Sequence, residues 1–264
     1  MQKGAFGFGI ARSVDPVRSR ARLAELCGLL SQGVGTIFIP SHADNYKQLA
    51  KQVVDGELAI AWMPPIPCID LEAVEPGATL ILPVRGGRTS YFSALFARTD
   101  GPRSLADVKG KRVAWVDPDS SAGYLVPRLH LRAGGRRLEA MFSEEMMAGS
   151  HSAVLDAVES GRCEVGATYC ATRTPKWLVL GTQRERPLDA LTVAGPIPND
   201  AIVLSTKMPE DIRLRAQQWF LELESPRARE LCSDLLGADA FRTASFSHYV
   251  PLRKLLHVAK YSST

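Results

Sequence analysis

Short apolar runs rich in β-branched and aromatic residues alternate with segments of helical periodicity along this chain. Residues 6–11 and 36–40 each have the length of a buried strand, and residues 17–30 between them carry one apolar stripe at helical spacing. Alternation of this kind is typical of parallel strands joined by crossover helices. The chain is therefore predicted to adopt an α/β fold.

The same alternation continues through the rest of the chain. Asp44-Asn45 is expected to cap a helix that runs to residue 54, and Gly56 to end it, because short polar residues begin helices and glycines terminate them. Further strands are predicted at residues 58–62, 79–84, 112–116, 139–142, 164–169 and 201–205. Further helices are predicted from about residue 122, at 153–159, at 210–223 and in the C-terminal region.

Two long extended passages bracket the middle third of the chain. The first, residues 90–97, follows the glycine pair Gly86-Gly87, which suits a hairpin or a crossing between lobes and is interpreted here as a hinge; the second covers residues 191–198. One passage leaves and the other returns, as when a domain is inserted into another through two strands. A chain of 264 residues is long enough for two domains. The predicted lobes are residues 1–88 with 195–264, and residues 89–194.

The composition is that of an ordinary globular chain. With 45% hydrophobic and 23% charged residues, it excludes a disordered tail, a coiled coil and a collagen. The net charge of +4 favours small anions. The basic clusters are not interleaved with aromatic residues, as a nucleic-acid surface would be. We therefore expect a small anionic ligand and no nucleic acid.

Several features that the sequence lacks bear on the compartment and the cofactors of the protein. No stretch approaches 18 unbroken apolar residues, and residues 1–11 hold no long apolar leader, so no membrane insertion is expected. The five scattered cysteines are interpreted as reduced, mostly buried thiols, and Cys163 and Cys170 lack zinc-ligand spacing. We expect a monomer without metal or cofactor. The chain as it stands suits the cytoplasm, and a leader ahead of residue 1 would place it in the periplasm.

The clearest local signal is the run from Val116 to Tyr124, Val-Asp-Pro-Asp-Ser-Ser-Ala-Gly-Tyr. A strand ends in small polar residues and a helix begins at once, so the N–H groups of the first helical turn and the hydroxyls of Ser120 and Ser121 can converge on one anion. The alternative is that Asp119 or Ser120 only caps the helix. The run lacks the lysine and glycines of a P-loop, which disfavours nucleotide hydrolysis.

A second helix start of the same character lies at Gly149-Ser150-His151. Ser150 is expected to cap the helix. His151 then stands in the first turn, either as a hydrogen-bond donor to a bound anion or as a solvated residue at a helix start.

Six pieces of the sequence share an order and spacing with a known family. They cover residues 44–49, 56–65, 104–114, 120–128, 149–151 and 197–200. In this order they resemble the phosphonate-, phosphite- and phosphate-binding proteins of ABC importers. The resemblance extends over nearly the whole chain, from Phe6 to Leu256.

The resemblance implies a periplasmic-binding-protein-like fold of class II, with two lobes joined by two hinge strands and a ligand bound in the cleft as the lobes close. The side chains or backbone it assigns to ligand binding are those of Tyr46, Tyr91, Ser120, Ser121, Ala122, His151 and Asp200. Asp200 would lie near the ligand's substituent. Ala122 replaces a hydroxyl residue of the family pattern, and residues 170–173 lack the acid that binds an amine in aminoalkylphosphonate binders.

Three functions follow as hypotheses. The first is binding without catalysis, with an ABC permease or a fused or partner signalling protein reading hinge closure. The second is a cytosolic enzyme on the same fold that acts on a small carboxylated metabolite, as in menaquinone pathways, with Asp117, His151 and Asp200 as acid or base groups. The third is a cytosolic regulatory module that senses a ligand. We favour binding, because no pairing of a nucleophile with a base is visible.

Overall fold

A computed structural model describes residues 4–11, 16–171 and 188–261. It divides into two compact units. The first unit comprises the described residues up to Thr89 together with Pro198–Tyr249, and the second comprises those of Ser90–Ile197 together with the described residues from Val250 onward. The chain thus passes between units at three points.

The strands are β1 Ala5–Ala11, β2 Ile37–Ala43, β3 Ile60–Met63, β4 Thr79–Val84, β5 Ser90–Arg98, β6 Lys111–Trp115, β7 Phe142–Met147, β8 Val165–Cys170, β9 Leu188–Pro198, β10 Ala201–Leu204 and β11 Ala240–Ala244. The α-helices are α1 Pro16–Val34, α2 Tyr46–Asp55, α3 Pro65–Glu72, α4 Val126–Ala133, α5 His151–Glu159, α6 Glu210–Glu222, α7 Pro226–Leu236 and α8 Val250–Tyr261. A π-helix covers Ser121–Leu125, and 3-10 turns cover Leu138–Ala140 and Phe246–Tyr249.

The first unit is built on a six-stranded sheet in the order β11-β4-β10-β3-β1-β2. Strands β2 and β3 run parallel to β1, whereas β10 is antiparallel to β3 and β4. Gly9 lets the segment after α2 approach β1, since a Cβ at this position would lie 2.4 Å from Cδ1 of Leu58. Asn45 caps α2 by accepting a hydrogen bond from the Gln48 N–H, and Gly56 ends the helix in the left-handed conformation, as predicted.

The second unit is built on a five-stranded sheet in the order β7-β6-β8-β5-β9. Strands β7 and β8 run parallel to β6, and β5 is antiparallel to β8. One face carries Phe96 and Gly166 against α5, while the opposite face carries Leu95 and Trp115 against α4. The helices that follow β6 and β7 therefore pack on opposite faces of the sheet. Both begin at the carboxyl ends of these two parallel strands.

The unit boundaries differ from the predicted lobes mainly at the C-terminus. The sequence assigned all of residues 195–264 to the first lobe. In the structure, helix α8 packs against α4 of the second unit. The remaining differences are one residue, Thr89, just before the first passage, and residues 195–197 within the second.

The predicted strand at residues 139–142 is wrong. Leu138–Ala140 form a 3-10 turn, and β7 begins at Phe142. Strand β7 lies at the edge of the sheet with most of its side chains partly or fully exposed, so it shows no apolar alternation. Helix α3 and strand β11 were not predicted from the sequence. The pair Gly86-Gly87 forms a tight turn with both φ angles positive, closed by hydrogen bonds between Arg85 and Arg88.

All five cysteines are buried, as predicted, and none forms a disulfide. Among the residues described, no cluster of acidic, histidine and cysteine side chains is suited to a metal ion. No helix in that same part of the chain is both long and apolar enough to cross a membrane.

Candidate anion-binding site

The first helix start, here called the Ser120 turn, covers residues 116–125 at the end of β6. The Ser120 Oγ accepts a hydrogen bond from the Gly123 N–H at 3.1 Å. The Ser120 carbonyl accepts two more, from the N–H groups of Tyr124 at 3.1 Å and Leu125 at 2.9 Å. The cap is therefore Ser120 and not Asp119. The turn is one residue wider than an α-helical turn, a geometry often found at functional sites.

The Ser120 turn is held tightly against the end of β6. A Cβ on Gly123 would lie 2.2 Å from Cγ2 of Val116, so no larger residue fits this position without rearrangement. The Val116 N–H donates to the Gly123 carbonyl at 3.2 Å. From β5, the Ser93 hydroxyl donates to the Ala122 carbonyl at 2.7 Å. These contacts fix the direction of the first-turn N–H groups.

The second helix start, here called the Ser150 turn, covers residues 147–153. The Ser150 Oγ accepts a hydrogen bond from the Ala153 N–H at 3.2 Å, so the predicted cap is confirmed. Gly149 has a φ of +83°, which favours glycine at this position. Its N–H donates to the Val116 carbonyl at 2.8 Å. The two helix starts therefore adjoin at the carboxyl ends of β6 and β7.

Hydrogen-bond donors remain available at the Ser120 turn. The first N–H groups of a helix have no intrahelical carbonyl to donate to, and they carry the positive end of the helix dipole. Ser120 keeps its hydroxyl hydrogen as a donor, because capping uses only an oxygen lone pair. Within the part of the chain that the structure describes, the Ser121 hydroxyl has no hydrogen-bond partner. The turn can thus present hydroxyl and N–H donors to an anion.

His151 is the first residue of α5 and extends the donors of the Ser150 turn. Its Nδ1 lies 2.9 Å from the Thr168 Oγ1, and its ring meets the Tyr169 ring edge to face, with 4.9 Å between centroids. Burial lowers the pKa of His151 below its usual value, and the nearby Asp117 carboxylate acts in the opposite direction. A neutral imidazole donates one hydrogen bond.

The loop between β6 and the cap carries two aspartates. The Asp117 Oδ1 accepts a hydrogen bond from the Asp119 N–H at 2.9 Å, and the Asp117 carbonyl accepts one from the Ser120 N–H at 3.2 Å. Asp117 therefore shapes the approach to the turn. Its negative charge also opposes an incoming anion, so the donors of the turn must outweigh it.

The other predicted residues are divided between the units. Tyr91 lies two residues before Ser93 on β5 and so faces the same side of that strand. Tyr46, the first residue of α2, and Asp200, which follows β9, belong to the first unit. Ser120, Ser121, Ala122 and His151 all belong to the second unit and lie at the carboxyl ends of β6 and β7.

Asp200 has an unusual environment within the first unit. Burial raises the pKa of its carboxyl group, while the Arg85 guanidinium, with Nη2 4.0 Å from Oδ2, acts to lower it. Arg85 also donates to the carbonyls of Leu236 and Gly237 at the end of α7, at 2.8 and 3.1 Å. The arginine is therefore anchored independently of Asp200.

Three residues that support the site, Ser93, Thr168 and Tyr169, were not predicted from the sequence. Ser93 and Thr168 are buried polar residues, with 1% and 0% of their surfaces exposed. Ser93 and Tyr169 are directly opposite each other on β5 and β8, so they share one face of the sheet. A polar residue within an otherwise apolar strand was the available signal, but the strand alone does not identify its partner.

Comparison with known proteins places these features in a family. The model of the ABC transporter phosphonate periplasmic substrate-binding proteins matches residues 8–249. The phosphonates-binding periplasmic protein of Escherichia coli is 24% identical over 264 residues, which cover 96% of this chain and 76% of that protein.

Solved structures show the same fold. A binding protein component of an ABC phosphonate transporter from Pseudomonas aeruginosa superposes with a TM-score of 0.73 at 19% identity, over 98% of this chain and 88% of the other. PhnD1 from Prochlorococcus marinus, in complex with methylphosphonate, superposes with a TM-score of 0.68 at 16% identity, over 96% of this chain and 97% of the other.

The predicted class II fold is confirmed by these structures, and the prediction of binding without catalysis is confirmed by the family match. The enzyme alternative finds no support in either comparison. The family's role also makes an ABC transporter the functional partner. Matched over most of its length, the chain belongs to the phosphonate substrate-binding protein family of ABC transporters.

Proposed function

We propose that the Ser120 and Ser150 turns together bind the oxyanion head of a small phosphorus compound. The observation that carries this proposal is the hydrogen bond from the Gly149 N–H to the Val116 carbonyl, which sets the two helix starts side by side. Each helix start alone is a weak anion site, but two of them directed at one sheet edge concentrate donors and positive potential.

The donors assigned to the ligand are the hydroxyls of Ser120 and Ser121, the Ala122 N–H and the Nε2 of His151. Each donates to an oxygen that carries negative charge, and such hydrogen bonds are stronger than those between neutral groups. A dianion gains more from them than a monoanion. The proposed role of Tyr46, Tyr91 and Asp200 in holding the ligand remains a prediction from the family pattern.

The surroundings of β8 favour a ligand without a cationic substituent. The strand ends with Cys170 and is followed by Ala171, neither of which carries a charge that could pair with an amine. Thr172 and Arg173 lie outside the described residues. We therefore infer that methylphosphonate, phosphite or phosphate binds more tightly than aminoethylphosphonate.

Isothermal titration calorimetry tests this proposal. Methylphosphonate, phosphite, phosphate and aminoethylphosphonate are titrated separately at pH 7, with sulfate as the control anion. We expect heat and a rise in melting temperature with at least one of the first three compounds. Absence of both responses with every phosphorus compound would contradict the proposal.

A pair of serine variants locates the binding. Ser121→Ala removes a donor and should weaken binding by about 1 to 3 kcal/mol. Ser160→Ala is the matched control at the opposite end of α5, where the hydroxyl donates to the Ala157 carbonyl at 3.3 Å and accepts a hydrogen bond from Nε of Arg162 at 3.4 Å. Equal losses of affinity in the two variants would show that the ligand does not bind at the Ser120 turn.

We further propose that the ligand-bound protein delivers its cargo to an ABC permease. The partner can be identified by stimulation of ATP hydrolysis in a membrane-reconstituted transporter. Stimulation that requires both protein and ligand supports delivery. A response to ligand without the protein would contradict it. A signalling role would instead show as ligand-dependent binding to a protein outside the transporter.

A further inference from the structure

The contact between His151 and Thr168 joins a partly buried ring to a fully buried hydroxyl. The Thr168 Oγ1 lies 2.9 Å from Nδ1, and Thr168 has no exposed surface. The edge-to-face contact with Tyr169, at an interplanar angle of 82°, restrains the ring from another side. Within the described part of the chain, no residue forms a hydrogen bond with Nε2.

The position of the ring proton follows from the needs of the Thr168 hydroxyl. If Nδ1–H donated to Oγ1, the hydroxyl hydrogen would need another acceptor, and the described residues offer none at this buried position. A buried donor without an acceptor is unfavourable, because it has lost its hydrogen bonds to water without replacement. If the hydroxyl donates to Nδ1 instead, both groups are satisfied. The neutral ring then carries its proton on Nε2.

We propose that Thr168 is a positioning residue that holds His151 as the Nε2–H tautomer, ready to donate a hydrogen bond to the oxyanion. Among the described residues, Asp117 is the charged group that acts on this ring, and Tyr169 is the other titratable side chain in contact with it. The ligand-binding part of this inference rests on the proposed function. The tautomer does not, because it is a property of the ligand-free protein.

Nitrogen NMR of the histidine side chains tests the tautomer directly. Protein labelled with 15N histidine is measured without ligand at pH 7, and the spectrum of His151→Gln assigns the resonances by difference. We expect Nδ1 of His151 to show the shift of an unprotonated ring nitrogen and Nε2 that of a protonated one. The reverse pattern, or an imidazolium spectrum, would overturn the proposal whatever the ligand proves to be.

Three variants test the positioning role. Thr168→Val keeps the shape of the side chain but removes the donor, so we expect a mixed tautomer population and about tenfold weaker methylphosphonate binding. Thr168→Ser restores the hydroxyl and should restore both properties. Thr192→Val is the matched control, because Thr192 makes the same kind of contact with His130, at 3.0 Å.

The outcomes separate the two proposals. If wild type shows the Nε2–H tautomer and no phosphorus oxyanion binds, the proposed function fails while the positioning of His151 stands. If Thr168→Val folds, as judged by its melting temperature, and keeps the wild-type tautomer, the positioning role is overturned. Should that variant not fold, the wild-type spectrum still decides which ring nitrogen carries the proton. A changed tautomer in Thr168→Ser, which keeps the hydroxyl, would then overturn the positioning role.

Discussion

The Ser120 and Ser150 turns solve the same local problem in different ways. Each follows one of two neighbouring parallel strands, and in each a serine hydroxyl caps the helix by accepting an N–H hydrogen bond. After Ser120 the backbone widens into a π-helix, whereas after Ser150 a regular α-helix begins with His151. One turn thus offers hydroxyl and backbone donors, and the other offers a ring. A cap by itself does not distinguish them.

The largest expected effect comes from adding a side chain at Gly123, where the Ser120 turn packs tightly against β6. Gly123→Ala places a Cβ against Val116, so the turn must shift away from β6. We expect a loss of stability of about 1 to 3 kcal/mol and a loss of binding of about 100-fold or more. Gly28→Ala is the control, because a Cβ on this exposed helical glycine meets nothing within 4 Å. Calorimetry and thermal unfolding measure both effects.

The two capping serines should separate stability from binding. Ser120→Ala and Ser150→Ala each remove a cap, which costs about 1 kcal/mol of unfolding free energy. Only Ser120→Ala should also weaken ligand binding by about 1 to 3 kcal/mol, because its hydroxyl hydrogen is assigned to the oxyanion. Urea unfolding and ligand titration of both variants test this contrast. Equal binding losses would mean that both serines act on the ligand in the same way.

The histidine of the Ser150 turn should make stability depend on pH. Burial lowers the pKa of folded His151 below the usual value of 6.5, so the unfolded chain binds more protons between the two pKa values. The folded state is therefore expected to lose stability as the pH falls below about 6.5. His151→Gln should reduce this loss, as measured by urea unfolding between pH 7 and about pH 5.

His130 supplies the control for this prediction. Burial also lowers the pKa of His130, which lies 3.0 Å from Thr192 through Nε2. His130→Gln should likewise reduce the loss of stability at acidic pH, but it should leave ligand affinity unchanged. His151→Gln should weaken binding as well. An unchanged affinity in His151→Gln would show that the His151 ring does not bind the ligand.

The smallest expected effect is a gain. Ala122→Ser adds a hydroxyl at the position where the family pattern carries one, and we expect binding about two- to fivefold tighter. Ala133→Ser, at the far end of α4, is the matched control. Calorimetry with methylphosphonate compares the two. Weaker binding in Ala122→Ser would show that the added hydroxyl is buried, as the 3% exposure of Ala122 allows, and does not reach the ligand.

Features governed by neighbouring residues were predictable from the sequence. The caps at Asn45 and Ser150 and the stop at Gly56 follow from rules that act within one helical turn. Features governed by pairing between distant segments were not. Strand β7 is an exposed edge strand that is stabilised by pairing with β6. The sequence of neither segment predicts this pairing.

The same distinction holds within the candidate site. The donors at Ser120, Ser121 and His151 were recognisable because helix starts have a local signature. The partners that hold them in place come from other strands: Ser93 on β5 reaches the Ala122 carbonyl, and Thr168 on β8 reaches His151. Packing of α8 against α4 likewise depends on a contact between segments more than a hundred residues apart, so the sequence pattern could not assign this helix to a unit.

The burial of the five thiols makes the protein its own reporter of local opening. Cys27, Cys68 and Cys232 lie in the first unit, and Cys163 and Cys170 lie in the second. A thiol reagent modifies each cysteine only when its surroundings open, so modification rates give the opening of each unit separately. A ligand held by the second unit alone would slow the modification of Cys163 and Cys170 and leave the other three thiols unaffected.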